Sequence, residues 1–238
     1  MTKTKAKAPI SGLKQQVAPF EKTDTRRSIL QLINTILPMV LLWIAAYAAL
    51  NVSYLLTLLL AVVAGGFLVR TFIIFHDACH GSFFHSKRAN DIVGTVTWIL
   101  TMVPYRQWKY THSVHHATSG NLEKRGTGDI WVMTVAEYRE ARPLKRLAYR
   151  LYRNPLVMLC LGPAFTFAIQ YRFNRRGARR SERMNTYLTN AAIAGLYAGI
   201  IALIGWEAFL MVQLPFFLTA GLAGIWLFYV QHNFEDSY

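Results

Sequence analysis

Residues 54–80 read YLLTLLLAVVAGGFLVRTFIIFHDACH, an apolar run from Tyr54 to Phe75 that ends in a pair of histidines four residues apart. At about 1.5 Å of rise per residue, the apolar part alone covers a hydrocarbon layer about 30 Å thick. Gly65-Gly66 lies inside it, as membrane helices tolerate. Three further stretches have the same character: Leu30 to Leu50, Tyr187 to Gly205, and Ala208 to Val230, the last containing Pro215. With 53% hydrophobic residues gathered into such runs, the 238-residue chain reads as an all-α integral membrane protein with four transmembrane helices.

Two shorter stretches predict segments that enter the membrane without crossing it. Ile92 to Tyr105 would reach only about 21 Å as a helix, too little to span. Pro155 to Tyr171 is preceded by Lys145, Arg146, Arg150 and Arg153 and followed by Arg172, Arg175, Arg176, Arg179, Arg180 and Arg183. Basic loops stay cytoplasmic, so both of its flanks belong on one side. The first 27 residues carry Lys3, Lys5, Lys7, Lys14, Lys22, Arg26 and Arg27, whereas the turns at Asn51 to Ser53 and Trp206-Glu207 carry no basic residue. The amino terminus is therefore expected inside. Four spans and two dips then put every histidine cluster at the cytoplasmic boundary, as a histidine-rich cap.

The net charge of +14 is mostly a topological signature. Part of the same surface could dock an acidic electron carrier. Nucleic acid is excluded as a partner, because the basic residues border membrane segments and no recognition module is present. Cys79 and Cys160 offer no disulfide framework and suit a reducing compartment. Residues 1–27 are expected to be a basic, disordered cytoplasmic tail and residues 28–238 the membrane domain.

Six of the seven histidines fall in patterned positions: His76 and His80; His112, His115 and His116; and His232. Separations of three and four place imidazoles on one helical face, where they can converge on a metal. Either spacing alone is a modest signal, and two on the same membrane face are a much stronger one. Five or six imidazoles exceed what a single zinc needs, so two metal ions are implied. Imidazole serves zinc, copper, iron and nickel alike, and the Glu-x-x-His motifs of bundle di-iron sites do not occur.

The chain resembles the integral-membrane, histidine-box fatty acid desaturases, specifically the bacterial acyl-lipid type. The likeness rests on His-Asp-Ala-Cys-His (76–80) followed by Gly-Ser-Phe-Phe, on His-Ser-Val-His-His (112–116), and on the trailing run ATSGNLEKRGTGDIW (117–131). It covers the chain from Leu30 onward. The resemblance implies that His76, His80, His112, His115 and His116 ligate two iron ions that activate O2 to remove hydrogens from an acyl chain. His232, in its Gln-His-Asn context, resembles an additional ligand that precedes the family's last box. No catalytic residue beyond the metal ligands is implied, and a bacterial inner membrane is the expected location.

One departure stands out. The family carries a third box, H-x2-H-H, well downstream, and this sequence stops at Tyr238. The expectation is a fragment, not a degenerate relative, so that the activity belongs to the complete protein and these residues alone are inactive.

An unactivated methylene offers no acidic proton and no electrophile, so one-electron and O2 chemistry at a metal is required. Neither a Gly-x-Gly-x-x-Gly fingerprint nor a Cys-x-x-Cys-His heme site supplies the electrons. A ferredoxin-like or cytochrome-like donor is implied.

His85, beside Lys87 and Arg88, reads as an interfacial residue. Asp77 and Asp129 are candidates to accept from imidazole N–H groups or to pair with an Arg. Trp98, Tyr105 and Trp108 fit an interfacial aromatic belt first and a substrate tunnel second. Competing readings are a histidine-box hydroxylase of alkyl, fatty or carotenoid chains, a heme-binding electron carrier, and a metal transporter. The carrier needs single axial ligands facing across helices, and the transporter needs histidines or carboxylates near the bilayer midplane.

Overall fold

A computed structural model describes residues 10–18 and 22–232. Among the described residues ten α-helices follow in order: α1 Ile10–Val17, α2 Thr25–Ala49, α3 Tyr54–His80, α4 Lys87–Thr101, α5 Tyr105–Thr118, α6 Val135–Glu140, α7 Pro143–Tyr152, α8 Gly162–Ala168, α9 Arg180–Ile204 and α10 Trp206–His232. A π-helical turn, Val157–Leu161, leads into α8. Among the described residues there is no strand.

Helices α2, α3, α9 and α10 are long and apolar enough to cross a membrane, and each covers one of the four expected spans to within one residue. α2 shows the reason: Leu30, Ile33, Leu37, Leu41 and Ile44 recur at helical spacing and are all exposed, an apolar stripe suited to lipid. Its other face packs inward, where Met39 and Ala46 meet Ala61, Ala64 and Leu68 of α3 and Val212 and Phe216 of α10. Small residues let these backbones approach, as membrane helix pairs require. A Cβ at Gly65 would stand 2.7 Å from the Phe216 carbonyl oxygen and 2.9 Å from Thr219 Cβ. Polar side chains inside the bundle find partners. The Trp43 indole N–H donates to Gln213 Oε1 at 2.6 Å, and the Thr71 hydroxyl donates to the Phe67 carbonyl at 2.9 Å.

α4 has 15 residues and reaches only about 22 Å, so it turns back as expected from its length. Reversal occurs at Met102, whose φ of 58° is left-handed. The Met102 N–H donates to Ile99 O and the Val103 N–H to Trp98 O, a Schellman closure of α4. α5 then returns along α4. The Tyr105 ring lies over Gly94, where a Cβ would come within 2.2 Å of it, and the Tyr105 hydroxyl donates to Asp91 at 2.7 Å. The Pro155 to Tyr171 stretch is likewise broken, into the π turn, α8 and a 3₁₀ turn at Gln170–Arg172.

Two expectations need correction. Trp98, Tyr105 and Trp108 do not form an interfacial belt. They are buried with Phe75, Cys79 and Val103 between α3 and the α4–α5 hairpin, because α5 folds back along α4 and sets the Tyr105 and Trp108 rings against Phe75 of α3. Within the stretch expected to be a disordered tail, Ile10–Val17 is helical and α2 begins at Thr25. There the Asp24 side chain accepts from the Arg27 N–H at 3.1 Å, an N-cap that starts the helix before its apolar part.

Gly65→Ala should separate α3 from α10 and lower stability by about 1–3 kcal/mol, as over-packing does. Gly66→Ala, which meets open space, should leave the thermal midpoint in detergent unchanged.

Candidate metal centre

Two helix ends build the site. α3 closes in a Schellman motif at Gly81 (φ 74°), with the Gly81 N–H on Ala78 O and the Ser82 N–H on Asp77 O. His76 and His80 therefore stand one turn apart on the last stretch of a spanning helix. The α4–α5 reversal brings the end of α5 beside them, so that His112 arrives at the same end of the bundle as His80. Had α4 crossed the bundle, this meeting would be impossible.

Nitrogens of His76, His80, His112 and His116 all lie within 4.8 Å of one another. His112 Nε2 is the centre of the group, 2.9 Å from His80 Nε2 and 3.0 Å from His116 Nε2. A first-row ion with metal–nitrogen bonds of about 2.0–2.1 Å sets neighbouring donor nitrogens roughly 3 Å apart, the spacing of the His80–His112 and His112–His116 pairs, and the group of four could hold a metal ion. Burial, together with the imidazoles of His76, His116, His80 and His115, pushes the His112 pKa down to about 2. The ring is thus neutral, with a lone pair to offer. Asp77 Oδ1 lies 3.0 Å from His76 Nδ1. With Nδ1 turned to that carboxylate, Nε2 is the ring nitrogen of His76 left to meet a metal. The Trp108 indole stacks on His112 with centroids 4.1 Å apart and planes 17° apart, and fixes the plane of that ring.

The other expected ligands are placed differently. His115 is buried, and its Nδ1 lies 2.6 Å from Asp129 Oδ1; its ring centroid is 5.7 Å from that of His116. It does not join the group of four. His232 closes α10 by its backbone, and its side chain lies outside the described residues. His85 is exposed beside an opening shared with His80, Lys22 and Ser82, and it too stays outside the cluster.

The run from Ala117 to Trp131 acquires a structural explanation. Asp129 accepts from His115 with one oxygen and from the Gly126 N–H, at 2.8 Å, with the other. Gly128, at φ 79°, lets the loop pass so close that a Cβ would stand 3.2 Å from His115 Cβ. Asn121 Oδ1 accepts from the Glu123 N–H at 2.9 Å, Arg125 pairs with Glu137, and Trp131 packs against Tyr149 and Tyr152. Trp108 was missed as a site residue. Its signal was position: it precedes His112 by four and so shares its helical face.

This is a helical membrane protein with an imidazole cluster at one end of its bundle. A profile of the family described as fatty acid desaturase matches residues 52–238, and the chain belongs to that family. It is 59% identical over 226 residues to a fatty acid desaturase of Bacillus subtilis (strain 168), which covers 95% of this chain and 64% of that protein. An endoplasmic reticulum omega-3 fatty acid desaturase of Vigna radiata var. radiata is 30% identical over 63% of this chain and 37% of its own length. An sn-1 acyl-lipid omega-3 desaturase (ferredoxin) of Synechocystis is 26% identical over 70% of this chain and 47% of its own. The chain thus spans less than two thirds of the length of these relatives.

Asp129→Ala removes the acceptor from a buried imidazole and should cost about 1–3 kcal/mol. The change should read out as a lower thermal midpoint and faster tryptic cleavage after Lys124. Asp129→Asn, which keeps one acceptor oxygen, should cost less.

Proposed function

We propose that the complete protein is an O2-dependent desaturase that introduces a double bond into a fatty acyl chain at a histidine-ligated di-iron site. The observation that carries this reading is the meeting of His76, His80, His112 and His116 within 4.8 Å in a chain of the fatty acid desaturase family. His115 and His232 are proposed as further ligands, with His115 one residue from His116 and held by Asp129. Iron bound there supplies the one-electron and O2 chemistry that an unactivated methylene demands.

The chain's own residues do the rest. Asp77 and Asp129 hold the imidazole protons of His76 and His115 on Nδ1, and Trp108 sets the plane of His112. The apolar stripes of the spans leave lipid in direct reach of the bundle, so the acyl substrate enters from the membrane. Taking two hydrogens from the chain while reducing O2 to two waters requires two further electrons and two protons. An external donor, ferredoxin-like or cytochrome-like, delivers the electrons; the name of the Synechocystis relative contains ferredoxin. We place the amino terminus and the histidine cluster on the cytoplasmic side of a bacterial inner membrane, with residues 1–27 as a basic tail and 28–238 as the membrane domain.

The complete protein, purified without added metal, should hold about two irons. His112→Ala or His116→Ala should remove iron while the protein remains inserted in the membrane. Expressed with a compatible donor, it should yield acyl products two mass units lighter per double bond, and His80→Ala should abolish them at unchanged protein level. Products sixteen mass units heavier would move the assignment to a hydroxylase. Stoichiometric zinc without iron or another redox metal would overturn the oxygen-activation reading.

A further inference from the structure

Helix α7, PLKRLAYRLY, divides into three faces. Tyr149 and Tyr152 hold it to the protein: both rings pack on Trp131, at 5.2 and 5.7 Å between centroids, and the two hydroxyls accept from the backbone N–H groups of Met133 and Trp131. Leu144, Leu147 and Leu151 form a second face at spacings of three and four, and they are 77%, 52% and 57% exposed. On the opposite side stand Arg142, Arg146, Arg150 and Arg153, and residues 142–153 include Lys145 and no acidic residue. Arg150 and Arg153 are steadied by the hydroxyls of Tyr138 and Tyr229. A cationic face opposed to an apolar face without a partner is what a helix lying in a membrane–water interface presents.

Two observations fix the occupant of the apolar face. Exposed apolar residues continue along the chain at Leu156, Leu161 and Phe165, and this segment packs on spanning helix α10, where a Cβ at Gly221 would stand 3.0 Å from Pro163 Cβ. The leucine face therefore leads onto a surface already in the bilayer. The uniformly basic flank matches the negative charge of phospholipid headgroups, not a neutral or basic protein surface.

We propose that α7 is an interfacial anchor. It lies flat in one leaflet, with Leu144, Leu147 and Leu151 at the acyl boundary and Arg142, Lys145 and Arg146 on anionic phospholipid.

The test uses the complete protein with its native cysteines replaced by serine, a single cysteine at 142, 144, 147 or 151, and a nitroxide spin label. It is reconstituted in vesicles of phosphatidylglycerol and phosphatidylethanolamine. Power saturation should show labels at 144, 147 and 151 relaxed by O2 and shielded from a water-soluble nickel chelate, with the reverse at 142. Chelate access at all four sites, or shielding of the three leucine positions from both relaxants, would overturn the proposal. The second pattern would mean that the carboxy-terminal part of the protein or a second copy covers the face. In the otherwise native protein, Arg142→Gln/Lys145→Gln/Arg146→Gln should at least halve the phosphatidylglycerol that copurifies, measured by mass spectrometry. An unchanged amount would remove the anionic-lipid part of the proposal.

Discussion

The bilayer contains no water to satisfy a peptide group, and the architecture answers to that constraint. Each segment crossing the hydrocarbon closes its backbone hydrogen bonds within itself. α3 sits at the centre, packed by α2 and α10 on the core of Met39, Ala46, Ala64, Val212 and Phe216 and by the α4–α5 hairpin on Phe75 and Cys79. Irregular backbone occurs where protein covers it. The left-handed Met102 lies under Arg172, whose guanidinium donates to the Met102 carbonyl, and under Tyr197. The loop after His80 is held by Asn90, which meets both the N–H and the carbonyl of Phe84, and by Ser28 on the Phe83 carbonyl.

That constraint also explains why the imidazoles gather at a helix end. Each of the four comes from the last turns of α3 or α5, where side chains leave the apolar layer and can face one another. Burial there keeps His112 neutral, and aromatic packing from Trp108 holds it in place. The tightly held part of the site is thus its apolar side, and the exposed rings of His80 and His116 form its open side.

Much of this was legible in the sequence. The spans were readable because hydropathy over about 20 residues has a single physical meaning in a membrane, and the reversal of α4 because 14 apolar residues cannot cross. The aromatic residues were misplaced because ring chemistry was weighed before helical position: Trp98, Tyr105 and Trp108 point at α3, and only the packing says so. The separate fate of His115 was hidden for a related reason. His112 and His116 are four apart and nearly aligned, whereas His115 is rotated away from His116, and its partner Asp129 comes from a loop whose path depends on Gly126 and Gly128. The helix at Ile10–Val17 lies in a basic stretch whose composition suggested none.

The division of the imidazoles between two helices has a consequence for biogenesis. His76 and His80 emerge in one segment, and His112 and His116 follow only after a hairpin that must enter the membrane and fold back. A chain halted before α5 owns half of the cluster, two imidazoles one turn apart, which hold a metal ion weakly. High affinity then becomes a property of the assembled bundle, and a chain that has failed to fold has little means of capturing a reactive ion.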